Sequence, residues 1–106
     1  MDPTARAREL IDVTESLTAV IDQENALLQD LRVKEIGALQ QEKTSLSGLY
    51  ELRMREAIQD AGAFNAVAPE VRDHLRNASE AFDRSAQRNA RALKAALEMN
   101  TRMVHK

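Results

Sequence analysis

Apolar residues at Leu10, Val13, Leu17, Val20, Ile21, Leu27, Leu28 and Leu31 recur at intervals of three and four. That spacing lines one face of an α-helix. The stripe cannot be extended in the same seven-residue phase, which would set Glu35, Ala38, Glu42 and Ser45 in the core while Ile36, Leu39, Leu46 and Tyr50 carry the apolar signal. The phase slips near residues 32–35 without a glycine or proline to mark it. Two readings account for a slip: a turn, or one unbroken helix over 4–60. Arithmetic favours the turn. In an antiparallel pair, facing positions have numbers that add to a constant, and here a constant of 67 sets Leu31 against Ile36, Leu28 against Leu39, Ile21 against Leu46 and Leu17 against Tyr50. The chain is expected to fold back on itself.

The same rule sets Glu24, a misfit in the first stripe, against Lys43, a misfit in the second. An interhelical ion pair between them would fix the register of the hairpin, at some cost in stability. The other reading sends both side chains out to solvent along their own stems. Asp2 followed by Pro3 signals a helix start, the aspartate as cap and the proline at the first helical position. Gly62, after Ile58, fits a left-handed stop for the second helix. Pro69 and Glu70 open a third, with the stripe Val71, Leu75, Ala78, Phe82, Ala86, Asn89, Leu93 and Leu97. About half of the chain is Ala, Leu, Glu, Arg or Lys, a composition that with this periodicity excludes a strand-rich fold. The expected architecture is an all-α, antiparallel three-helix up-down bundle in a single domain over 1–106, with helices over about 3–31, 34–60 and 69–105. Gly37 and Gly48, inside the second helix, are expected to permit close packing.

Lengths do not match. With residue 70 level with residue 4, residue 97 is level with Leu31, so roughly the last nine residues of the third helix overhang the hairpin turn. Ala90, Leu93, Leu97 and Val104 make one apolar stripe there, and Ala92, Ala96, Met99 and Met103 a second beside it. A face without an internal partner, furnished with pliable methionine, invites another helix. The candidate binding residues are Leu93, Ala96, Leu97, Met99, Asn100, Met103 and Val104. A frayed end is the plainer alternative. From Arg84 to Lys106 six basic groups stand against Glu98 alone. Complementing the helix dipole explains them simply, and steering an acidic partner is the sharper option.

Several function classes drop out. Fifteen basic residues against seventeen acidic ones do not make a nucleic-acid footprint. The chain has no cysteine, hence no disulfide framework or thiol nucleophile. His74 and His105 stand in no metal-binding spacing, no serine lies in a G-x-S-x-G setting, and the glycines form no phosphate loop. His74 is expected on the surface. No enzyme activity, metal or cofactor is expected. No segment is apolar enough to span a bilayer and the start lacks a leader pattern, so a cytoplasmic protein without membrane insertion is expected.

The stretch Leu17-Thr18-Ala19-Val20-Ile21-Asp22-Gln23-Glu24-Asn25-Ala26-Leu27-Leu28, then Ile36 to Leu46 and Leu49 to Arg53, carries an E-N-x-x-L helix end, a short break, and L-x-x-x-x-K-x-x-L and L-x-x-x-R segments. This pattern, together with Asn89 to Ala96, resembles flagellar export chaperones of the FlgN type. The resemblance implies a non-enzymatic cytoplasmic chaperone that binds the helical C-terminal segments of hook-associated (hook-filament junction) proteins. It would prevent their premature assembly and pass them to the flagellar export apparatus. The client would cover the overhanging face. A self-associating coiled-coil module without export role, present as a homodimer, is the competing expectation.

Overall fold

The computed structural model describes residues 2–104; Met1, His105 and Lys106, and the side chains of Asn100, Met103 and Val104, lie outside the described residues. The described residues are all-helical, without a strand, in four helices: α1 (Pro3–Gln29), α2 (Val33–Gln59), α3 (Ala61–Asn65) and α4 (Pro69–Val104). The slip in apolar phase is a turn. It closes with the Arg32 N–H on the Leu27 carbonyl (3.0 Å) and the Leu31 N–H on the Leu28 carbonyl (3.2 Å). These are the two bonds of a Schellman stop, with Leu31 at its left-handed position, φ 54°. That conformation corrects one expected pair: Leu31 does not face Ile36 in the core but is 53% exposed. The first helix accordingly ends at Gln29 rather than residue 31.

Three further expectations are corrected. Asp2 flanks α1 but caps no amide with its side chain; its backbone carbonyl accepts the Arg6 N–H at 3.0 Å instead. Gly62 is not a left-handed stop, because no glycine has positive φ. It lies inside α3, a short fourth helix that occupies part of the stretch read as a connection. There Phe64 packs with Leu75 against the buried cluster Ala7, Ile11, Val67 and Val71. Gly37 and Gly48 permit no close approach, since a Cβ added at either would meet nothing within 4 Å.

Side-chain contacts give the helix directions. Glu9 meets Arg53 and Glu24 meets Lys43, so α2 runs against α1. Glu15 meets His74 and Asp22 meets Ser85, so α4 runs with α1. α1 packs along both of its long neighbours and carries most of the buried apolar residues. Tyr50 of α2 stacks on Phe82 of α4, ring centroids 4.8 Å apart. The buried Thr14 fits among apolar neighbours because its hydroxyl donates to the Leu10 carbonyl one turn back, 2.6 Å away. The molecule measures 58 × 21 × 20 Å, and the 36 residues of α4, at about 1.5 Å each, nearly span its long axis. Among the described residues no helix is long and apolar enough to cross a membrane.

Candidate functional site

The site is built around a charged residue where a helix stripe calls for leucine. Glu24 is only 1% exposed, and its carboxylate is fully engaged. Lys43 Nζ lies 2.7 Å from Oε1, Asn89 Nδ2 donates to the same oxygen at 2.6 Å, and Gln40 Nε2 donates to Oε2 at 2.5 Å. Burial alone would raise the Glu24 pKa. The bonds from Lys43, Gln40 and Asn89, with the Lys43 charge, outweigh it and hold the carboxyl below its ordinary value of 4.5. Lys43 also donates to Asn89 Oδ1 at 3.3 Å, and Asn89 Nδ2 reaches Asn25 Oδ1 at 2.9 Å. Asn25 in turn donates to the Ser85 carbonyl at 3.2 Å, and the Ser85 hydroxyl donates to Asp22 at 2.5 Å. One polar layer thus joins α1, α2 and α4. Among the described residues it leaves no buried side-chain oxygen or nitrogen without a partner, the condition under which such a layer is tolerable.

Sequence reasoning placed Glu24 opposite Lys43, and the structure brings the two into contact. It missed the hub. Asn89 was visible as a polar residue in an apolar stripe and as the first residue of a segment that carries the family resemblance, but neither signal named its partners. The roles of Asn25 and Ser85 depend on the α1 to α4 register, which no sequence sum supplied, and Gln40 follows from the α1 to α2 register one turn from Lys43 but carried no signal of its own.

Beyond the layer the apolar packing thins. Toward the α1–α2 turn, among the described residues, only Leu28 and Leu39 are buried hydrophobics. With Asn89 level with Glu24, Leu31 is level with about residue 96, and α4 runs on roughly 12 Å past the turn. Between the ends of α1 and α4 lies an open groove of about 560 Å³, with Ala26, Leu28 and Leu31 on one wall and Arg88, Ala92, Ala95, Ala96 and Met99 on the other. The seven candidate binding residues do not form one surface. Ala96 and Met99 line the groove, while Leu93 and Leu97 stand outside it, Leu97 being 66% and Met99 48% exposed. The side chains of Asn100, Met103 and Val104 lie outside the described residues. His74 is exposed, with Nε2 3.3 Å from Glu15. Among the described residues no group of three or more His, Asp or Glu side chains is placed to hold a metal ion.

No family model matches the chain, and no solved structure matches it. Among curated proteins it is similar to the flagellar basal-body protein FlbY of Caulobacter vibrioides, with 29% identity over 105 residues that cover 99% of this chain and 70% of that protein. The likeness thus runs the length of the chain and is to a flagellar protein.

Proposed function

We propose that this chain is a non-enzymatic, cytoplasmic export chaperone of flagellar assembly. In this reading it holds the helical C-terminal segments of hook-associated proteins, prevents their premature assembly and passes them to the export apparatus. The observation that carries the reading is the unpartnered apolar surface at one end of the molecule, where Leu31 and Met99 are exposed along the groove. Exposed apolar surface beside a groove between helices suits a third helix laid along it. The antiparallel three-helix bundle with an overhanging last helix is the frame this function would use, because it leaves one helix end uncovered. The full-length similarity to a protein named for the flagellar basal body supports the setting.

Titration calorimetry with synthetic C-terminal segments of hook-associated proteins tests the proposal. A one-to-one complex is expected, weakened at least tenfold by Met99→Asp, with helicity unchanged because Met99 is exposed on the groove wall. Absence of binding to every such segment sinks the reading. Self-association is the second reading, favoured by the same exposed Leu31, Val33 and Leu97. Sedimentation of the free protein separates the two: a stable dimer that Leu97→Asp dissolves points to a structural module.

A further inference from the structure

We infer that the groove between the ends of α1 and α4 is shaped for an amphipathic helix bearing carboxylates along the flank that meets α4. This rests on the reading that a helix is captured at this end, but not on which protein supplies it. Ala26, Ala92, Ala95 and Ala96 give the walls little side-chain bulk, so a helix backbone can approach closely, and Leu28 and Met99 supply apolar contact. The two walls differ in charge. Asp22 lies on the α1 wall, where its Oδ1 already accepts the Ser85 hydroxyl, whereas Arg88 lies on the α4 wall with Arg91 one turn further on.

Neither arginine has an internal purpose among the described residues. No ion pair there includes Arg88 or Arg91. Their neighbours three and four positions away are Arg84, Ser85, Ala92, Gln87, Lys94 and Ala95. No carboxylate is among them, and the like charges at that spacing disfavour the helix. The dipole explanation drawn from sequence also fails here, because the dipole acts within the last turn. α4 continues to Val104, and the basic residue in its last turn is Arg102. Two guanidinium groups without an ion pair among the described residues, Arg88 on the groove wall and Arg91 one turn on and outside its lining, are satisfied by an incoming anionic flank. Such a flank also steers encounter and fixes which way the helix lies.

The test uses two synthetic amphipathic peptides with the same apolar face, one with glutamate and one with lysine on the same flank, read by fluorescence anisotropy at low and high salt. The glutamate peptide is expected to bind at least tenfold more tightly at low salt, with the margin shrinking as salt screens it. Arg88→Glu with Arg91→Glu should abolish or invert the preference, and the milder Arg88→Gln with Arg91→Gln should abolish it, both at unchanged circular dichroism. Equal binding of the two peptides, binding of neither, or a preference that survives both variants overturns the inference. So does a wild-type dimer that the arginine variants dissolve, since the occupant would then be a second copy. Hook-associated segments titrated alongside keep the two claims apart. If they fail to bind while the glutamate peptide binds, the proposed function falls and the groove inference stands. If they bind without regard to Arg88 and Arg91, the reverse holds.

Discussion

The carboxamide of Asn89 faces three polar groups at once: it donates to Glu24 and Asn25 and accepts from Lys43. A carboxylate this buried is tolerable only while those donors stay in place. Lys43→Met should therefore destabilise the fold by about 2 to 5 kcal/mol, the range for breaking one side of a buried charged pair. Adding Glu24→Leu should restore part of the loss, because the stranded charge goes with it. Urea melts of the two singles and the double give the coupling, and strictly additive losses would deny the pair a role. The same site governs acid behaviour. With its folded pKa below the ordinary 4.5, Glu24 contributes stability in full above that value and loses it as pH falls through the folded pKa. The stability gap between wild type and Glu24→Gln should narrow on acidification below about pH 4.5, as melting temperatures from pH 7 down to 3 would register. At the turn, Leu31 holds φ 54° without the freedom of glycine. Leu31→Gly should raise stability by about 1 kcal/mol in chemical denaturation, the scale of the left-handed penalty for a residue with a Cβ.

At the scale of helices, α2 is the least buried of the three long ones. Leu39 is its one buried hydrophobic residue, and Gly48 lies on an exposed face with open space around it. Gly48→Ala should thus stabilise by about 0.5 to 1 kcal/mol in a urea melt, from helix propensity alone. Leu28→Ala and Leu39→Ala should each cost about 2 to 5 kcal/mol; near-neutral melts would place both on the surface. These elements also mark how far the sequence could be read. The hairpin was legible because apolar positions on both sides of a slip must face each other, which a numerical sum captures. The stop itself was not, since a leucine stands where helix ends usually place glycine. α3 was hidden because five residues carry too little periodicity to register, and its glycine pointed to a turn. The candidate site was half legible. Apolar residues past Asn89 announced an uncovered end, but the division into a groove wall and a separate exposed face depends on how α4 is rotated against α1.

Across the whole molecule, the polar layer separates two unlike ends. One is closed by α3 over Ala7, Ile11, Val67 and Val71; the other, past Glu24, holds few buried apolar side chains and opens into the groove. Local opening follows the density of such contacts, so the end proposed to receive a partner is also the end cheapest to rearrange. Amide hydrogen exchange, measured on the free protein and again with a saturating hook-associated C-terminal segment, tests this directly. In the free protein, amides of α1 before Glu24 should exchange more slowly than those of α4 after Asn89. On adding the segment, new protection should appear on α4 beyond residue 89 and near the α1–α2 turn. Protection concentrated instead around α3, or none anywhere, would contradict the assignment of the open end as the docking surface.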